Sequence, residues 1–325
     1  MISTTVGFER HQFWSSKKGK GWDTPFKFNA FMSRECFDYI LSGIKYTKRE
    51  STTYCNRFWE IQELQEEWNM NMAEQFMPSW IVCLDESMSK WINKYTCPGF
   101  MVVPRKPWPF GNEYHTICCS ETGILFCAEL VEGKDRPKDA PPREYDNLGK
   151  TVGLCLHLTK FFHGTGNVLI MDSGFCVVQA LVELKKRGVF SSALIKKRRY
   201  WPKHIKGEAM KEHFKDKEPG YFDAKRAELD GVPFYVYGMK EPDYILLFMT
   251  TFGSTARMGK IQARQWKDPT NVTRTVKFKY PEVCNLHYEK RGSVDENNAR
   301  RMDPIAVEEQ CKTHRLEKRV FQFFW

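Results

Sequence analysis

The apolar positions of the chain change their period along its length. In residues 30–45 they recur at helical spacing, with Phe37, Ile40, Leu41 and Ile44 on one stripe and Ser33 as a candidate N-cap. A second helical stripe follows in residues 56–76 and consists of Phe58, Ile61, Leu64 and Trp68. We therefore predict a helical N-terminal region over residues 1–76, with both stripes facing a core.

Two short apolar runs then end on an aspartate. WIVCL precedes Asp85, and VLIM precedes Asp172. Continuous apolar runs of this length are typical of strands that are covered on both faces. Between them, residues 100–108 predict a strand, residues 113–133 predict a hairpin that turns near Gly123, and residues 148–162 predict a helix.

The segments after Asp172 complete this order. Residues 176–188 predict an amphipathic helix and residues 190–201 a further strand. The order of three strands, a helix, a strand, a helix and a strand fits a ribonuclease H-like sheet. We predict an α/β fold in which a ribonuclease H-like mixed sheet, flanked by helices, begins in residues 77–201. Residues 202–262 are predicted to be an inserted segment with β-structure, and residues 263–325 to return as C-terminal helices of the core.

Composition narrows the class of protein. The chain is 42% hydrophobic and 14% aromatic, which is typical of a folded domain. No stretch approaches the roughly 18 apolar residues of a membrane span, so we expect no membrane association. The eleven cysteines include no CxxC pair, which favours free thiols in the cytosol or nucleus over disulfides or a zinc module.

Charge points to a polyanionic partner. The formal net charge is +10. Basic residues cluster in KKRRYWPK, where they alternate with aromatic rings suited to base stacking: Lys196, Lys197, Arg198, Arg199 and Lys203. We predict DNA contact there and, on weaker grounds, at Arg105 and Lys106. A solvated strand end or a nuclear-import signal is the alternative for the cluster.

Asp85 and Asp172 are the first candidate site residues. In the predicted sheet, their strands lie side by side, and both acids reach the same edge. Two ionised carboxylates about 4 Å apart repel by roughly 4 kcal/mol at an effective dielectric of about 20, so such a pair needs a shared proton or a cation. Carboxylate oxygens suit Mg²⁺ or Mn²⁺. A helix cap, or a buried charge with a partner, is the alternative.

Asp295 is the third candidate. Gly292 provides a turn, and Ser293 with Glu296 matches a capping box, which would place Asp295 in the first turn of a helix. An acid fixed there could complete a metal site at the sheet edge. A helix-start aspartate that serves the cap alone is the alternative.

Three blocks of sequence resemble a known family in content and order. LDESMSKW at Asp85, MDSGFCVVQALVELKKRG at Asp172 and RGSVDENN at Asp295 are similar to the catalytic blocks of piggyBac-type transposases, and PGFMVVPRKPWPFGNEYHTIC resembles the block that follows the first acid. The resemblance covers most of residues 30–320. Ser173 and Ser293 depart from the family, which has Asn and Gly at these positions.

The resemblance implies an activity and its partners. It implies a ribonuclease H-like transposase in which Asp85, Asp172 and Asp295 bind two Mg²⁺ or Mn²⁺ ions. It further implies double-stranded DNA substrates, namely transposon ends and TTAA targets, and a nuclear location, and it leaves a homodimer open. The sequence has neither the acidic N-terminal region nor the cysteine-rich C-terminal module of the family. A domesticated or truncated DNA-binding protein without cleavage activity therefore stays an alternative, as does a structure-specific nuclease.

Overall fold

The computed structural model describes residues 13–15, 27–48, 57–91, 93–138, 140, 143–195, 207–268, 270–303, 306–310, 313 and 315–324. Within these ranges the α-helices are α1 Arg34–Gly43, α2 Trp59–Gln75, α3 Lys150–Leu158, α4 Val178–Lys186, α5 Gly207–Phe214, α6 Glu282–Lys290, α7 Ser293–Arg301, α8 Val307–Gln310 and α9 Leu316–Phe324. The strands are β1 Ile81–Lys90, β2 Phe100–Val102, β3 Phe110–Cys119, β4 Leu125–Leu130, β5 Val168–Met171, β6 Phe190–Leu194, β7 Phe222–Leu229, β8 Val232–Lys240, β9 Ile245–Thr250, β10 Arg257–Lys267 and β11 Thr273–Pro281.

The centre of the fold is a mixed sheet built around β1. β1 pairs antiparallel with β3 on one side and parallel with β5 on the other. β4 pairs antiparallel with β3, and β6 pairs parallel with β5. The resulting order, β4-β3-β1-β5-β6, confirms the predicted ribonuclease H-like sheet.

Three more strands extend this sheet beyond β6. β9 pairs antiparallel with β6, β8 with β9, and β7 with β8. The segment predicted as an insertion, residues 202–262, therefore adds three strands to the central sheet between Phe222 and Thr250. β8 and β9 agree with the β-structure predicted for this segment. β7 was not predicted as a strand, because four of its eight residues are charged and only Ala227 in it is buried.

A separate two-stranded sheet follows. β10 and β11 form a long antiparallel hairpin with a bulge between Met258 and Ile261. This hairpin was not predicted from the sequence. The predicted boundary between residues 262 and 263 falls inside β10, and the start of the segment predicted as C-terminal helices, up to Pro281, belongs to the hairpin. Most of its side chains are exposed, so its strands lack the apolar runs by which the other strands were found.

Successive side chains of β1 point to opposite faces of the central sheet, and a separate layer of the core packs on each face. Val82 and Leu84 point to the face covered by α3 and α4, in a cluster that also contains Leu181. Cys83 points to the opposite face, where Val294 of α7 and residues of α9 pack. Asp85 alternates to this second face, the one that carries α7.

The N-terminal helices differ in how they pack. Ser33 caps α1, accepting a hydrogen bond from Cys36 N at 3.1 Å, as predicted. The stripe predicted to be core is wrong for α1, however, because no residue of this helix is buried and Ile40 is 52% exposed. In α2 the prediction holds, with Ile61 buried and Leu64 and Trp68 packed against the second layer.

All nine cysteines in the described part of the chain are free, and eight of them are buried. Among the described residues, no helix is both long enough and apolar enough to cross a membrane.

Candidate active site

Asp85 and Asp172 lie side by side on neighbouring strands. The predicted strand end at Asp85 is wrong, because β1 continues to Lys90 in its pairing with β3, whereas Asp172 directly follows the end of β5 as predicted. Leu84 of β1 is paired in register with Met171 of β5, and each aspartate is the next residue along its strand direction. Neighbouring strands are about 4.8 Å apart, so the two backbones present their acids at the same level. Both residues line one cleft, as expected from the strand order.

The environment of Asp85 raises the pKa of its carboxyl. Burial raises the pKa of the Asp85 carboxyl to about 6, and the negative charges of Glu86 and Asp172 act in the same direction. Lys106 and the hydrogen bond from Glu86 N, at 2.7 Å, oppose this shift without cancelling it. A cation between the two acids would favour the ionised form of both.

Asp295 reaches the same cleft from α7, which packs on β1 and β3. The predicted capping box is wrong. Gly292 occupies the N-cap position, the helix start has no side-chain cap, and Ser293 is the first helical residue with a buried side chain. Cys83 Sγ donates a hydrogen bond to Arg291 O at 3.2 Å, which ties the turn before α7 to β1. The side chain of Asp295 is exposed, in the first turn of the helix.

Several other cleft residues were missed by sequence analysis. They come from the last turn of α6 and the turn that follows, and from the first turn of α7: His287, Tyr288, Glu289, Arg291, Gly292 and Glu296. The guanidinium of Arg291 lies 4.6 Å from the centre of the Tyr288 ring. The residues next to Asp295 in sequence, Arg291, Gly292 and Glu296, were the ones for which its neighbourhood gave a signal.

The three aspartates surround the cleft without forming a closed cluster. Across the described residues, no three His, Cys, Asp or Glu side chains lie close enough together to form a ready-made metal-binding group. The three carboxylates are nevertheless hard oxygen donors that line one space, which fits the ligand preference of Mg²⁺ and Mn²⁺.

Glu86 connects the first acid to the basic segment after β2. Arg105 forms an ion pair with Glu86, and Lys106 Nζ donates a hydrogen bond to Glu86 O at 2.7 Å. Glu86, and then Asp172 and Asp85, raise the pKa of Arg105. The structure therefore brings both predicted basic residues next to the acid pair.

The predicted basic cluster lies outside the described residues. This applies to Lys196, Lys197, Arg198, Arg199 and Lys203. β6 ends at Leu194 and runs parallel to β5, so it ends at the sheet edge that carries Asp172. DNA contact by the cluster stays a prediction.

Comparisons with known proteins show the family and the fold of the chain. A search of curated proteins returned no match. Among solved structures, the chain is similar to one described as the cryo-EM structure of the piggyBac transposase synaptic complex with hairpin DNA, with a TM-score of 0.64 and 14% sequence identity. The match covers 91% of this chain and 55% of that one, so this chain spans about half of its length. The fold is thus shared with piggyBac transposase.

A protein-family model described as Transposase IS4 matches residues 1–325. The relationship to transposases that the three sequence blocks predicted is confirmed by this match over the full length of the chain. The chain belongs to the IS4 transposase family.

Proposed function

We propose that this chain is the catalytic core of a transposase that cuts and joins double-stranded DNA by metal-dependent phosphoryl transfer at TTAA targets. The observation that carries the proposal is the placement of Asp85 and Asp172 side by side on adjacent parallel strands, each one residue beyond the paired Leu84 and Met171, with Asp295 lining the same cleft. The choice of TTAA rests on the sequence resemblance alone.

Asp85, Asp172 and Asp295 are the residues that would hold the metal ions. Two Mg²⁺ or Mn²⁺ ions at these carboxylates would supply activation of the attacking oxygen and stabilisation of the leaving oxygen. The raised pKa of Asp85 supports this assignment, because it reflects a buried carboxyl close to other acids, an arrangement that a cation relieves.

Basic residues around the acids have a separate role. Arg291 lines the cleft, and Arg105 and Lys106 flank the acid pair. Phosphate groups approaching three carboxylates are repelled, and these cations reduce that repulsion. The ion pair with Glu86 limits the freedom of Arg105, so its charge is held near the acids before DNA arrives.

Cleavage of duplex DNA tests the proposal. The substrate is a duplex that carries TTAA next to the terminal repeats of the source element, incubated with Mg²⁺ or Mn²⁺. We expect Asp172→Asn and Asp295→Asn to reduce cleavage by at least about 100-fold each, because each removes a carboxylate ligand at nearly constant shape. Folding and DNA binding should be retained.

Asp230→Asn is the matched control. Asp230 lies in the turn between β7 and β8 with a φ of 52°, and Asn-Gly is as well suited to this turn as Asp-Gly. Its cleavage rate should equal that of the unmodified chain. Undiminished cleavage by Asp172→Asn would contradict the proposal. An unmodified chain that binds DNA but does not cleave it with any divalent cation would instead support the alternative of a domesticated DNA-binding protein.

A further inference from the structure

The β10–β11 hairpin has one packed face and one free face. Cross-strand pairs such as Gln262 with Phe278 and Arg264 with Val276 share the first face, and all four side chains are half-buried. Pairs such as Ala263 with Lys277 and Lys267 with Thr273 share the second, and these side chains are all exposed. The hairpin is therefore a two-stranded ribbon with a defined outer face.

The packed face is held by specific contacts. The Phe278 ring lies against the backbone at Gly220, where an added Cβ would come within 2.6 Å of the ring. Arg264 Nε donates to the buried Glu241 carboxylate at 2.8 Å, and its guanidinium also bonds Tyr280 Oη. The guanidinium of Arg264 is thus paired within the protein, and these contacts fix the orientation of the ribbon.

The tip of the ribbon is also ordered by hydrogen bonds. Asp268 Oδ1 accepts hydrogen bonds from Thr270 N at 2.9 Å and Val272 N at 3.0 Å, and Asp268 Oδ2 accepts from Arg274 Nε at 2.9 Å. Asp268 is the single acid between residues 257 and 281. Because it is engaged in the turn and with Arg274, it does not neutralise the outer face.

The outer face carries positive charge alone. Its lysines are Lys267, Lys277 and Lys279, and the neighbouring outer positions are Ile261, Ala263, Gln265, Thr273 and Thr275. Within the described ranges, none of the three lysines has an acidic partner within 4.0 Å. Lys279 and Thr273, which faces Lys267, are six residues apart on β11, so the charges extend over about 20 Å of ribbon.

The base of the ribbon is joined to the catalytic cleft. β11 runs directly into α6, whose last turn lines the cleft. The Tyr280 ring stacks on the Tyr288 ring, with centroids 5.5 Å apart and planes at 24°, and Tyr288 is a cleft residue. The position of the lysine face relative to the three aspartates is therefore set by packed side chains.

We infer that the outer face of the β10–β11 hairpin is a binding surface for the phosphate backbone of duplex DNA. This inference rests on the proposed function. Duplex DNA presents one negative charge per about 1.7 Å of axis, which suits a linear row of lysines, and a two-stranded ribbon is narrow enough to follow a groove. The contacts are sequence-independent, because lysines at phosphates position DNA without reading bases.

The test compares two triple variants with equal loss of charge. One is Lys267→Gln, Lys277→Gln, Lys279→Gln. The control is Lys134→Gln, Lys150→Gln, Lys211→Gln, at exposed lysines elsewhere on the surface. Binding of a duplex of about 30 base pairs without repeats is measured by fluorescence anisotropy over a range of salt concentrations, after thermal unfolding has shown equal stability of both variants.

We expect the hairpin variant to lower the slope of log affinity against log salt by about 0.9 for each lost phosphate contact, hence by up to about 3, and to weaken binding at low salt at least tenfold. The control should keep the slope of the unmodified chain. If the two variants show equal slopes of log affinity against log salt while the unmodified chain still binds and cuts DNA, the hairpin is not the binding surface, and the proposed function is unaffected. Failure of the unmodified chain to bind duplex at any salt concentration would overturn the proposed function as well.

Discussion

His115 shows how burial sets protonation in this chain. It lies on β3, next to the strand that carries Asp85, and its ring packs edge-on against Phe175 with centroids 5.5 Å apart. Burial, followed by the positive charge of Arg143, lowers the pKa of the His115 imidazole from 6.5 to about 4. Between these two values the unfolded chain binds a proton at this residue and the folded chain does not.

The contribution of His115 to the free energy of unfolding should therefore fall as the pH is lowered from about 6.5 to about 4, whereas the raised pKa of Asp85 acts in the opposite direction below about 6. The part due to His115 is at most about 3 kcal/mol, from the size of the pKa shift. His115→Gln, which cannot be protonated, should lack this contribution and should therefore lose less stability than the unmodified chain when the pH is lowered through this range. Urea unfolding at about pH 7, 5.5 and 4.5 measures this, and the same pH slope in both chains would contradict it.

The candidate site was predictable where local sequence carries the signal. Asp85 and Asp172 each follow an uninterrupted apolar run, and strand order alone brings such run ends together. Ser293 was misassigned, because the capping pattern says nothing about which side chains the helix buries. His287 and Tyr288 were missed because they reach the cleft through the angle between α6 and α7, which depends on packing of distant residues.

At the scale of elements, α5 packs against β8 at Gly238, a residue without a side chain. A Cβ added at Gly238 would lie 2.6 Å from Phe214 Cε2 and Cζ and 3.2 Å from Met210 Cε. Phe214 is fully buried, so its ring has little room to move. Glycine at this position therefore lets α5 pack directly on the strand.

Gly238→Ala should destabilise the fold by about 1 to 3 kcal/mol, the usual effect of overpacking a filled core. Gly43→Ala is the matched control, because Gly43 is at the end of α1 with no atom within 4 Å of its added Cβ. That change should be neutral or slightly stabilising, since alanine favours a helix. The two variants are compared by urea unfolding, and equal stabilities would contradict close packing of α5 on β8.

Elements were predictable in proportion to their burial. β1, β5 and β6 are covered on both faces and read as apolar runs, so their order indicated the fold. β7, β10 and β11 have exposed faces and few apolar positions, and the pairing of β6 with β9 joins residues far apart in sequence. The apolar stripe of α1 was predicted to face a core but is exposed, because an amphipathic pattern does not specify which element covers the helix.

At the scale of the whole molecule, a buried ionic network links the C-terminal helices to the central sheet. The Glu308 carboxylate of α8 pairs with Arg301 of α7 and, at 3.1 Å, with Arg319 of α9. Ser89 of β1 donates a hydrogen bond to Glu308 at 2.6 Å and accepts one from Arg319 at 3.0 Å. Asn298 of α7 also accepts a hydrogen bond from Arg301 through its side-chain oxygen. Three helices and the central strand therefore share one set of buried charges.

Glu308→Gln should destabilise the protein by about 3 to 5 kcal/mol, because it leaves two buried guanidinium groups without their carboxylate. Since α7 also carries Asp295, we expect DNA cleavage to fall with stability. Glu296→Gln is the control, because its pair with Arg300 is exposed and 3.9 Å long, and it should change stability by less than about 1 kcal/mol. Similar unfolding midpoints for the two variants would show that the network does not hold these helices together.

Cys83, which donates a hydrogen bond to Arg291 O, can report on motion at the cleft through its reactivity. Cys83 is 2% exposed, so an alkylating reagent reaches it only when the 291–292 turn separates from β1 or the protein unfolds. Cys36 is exposed and reacts in either state, which makes it an internal reference. Other buried thiols, such as Cys155 on the buried side of α3, react only on wider opening. The ratio of alkylation at Cys83 to that at Cys155 thus distinguishes local opening of the Asp295 wall from global unfolding, without any engineered probe.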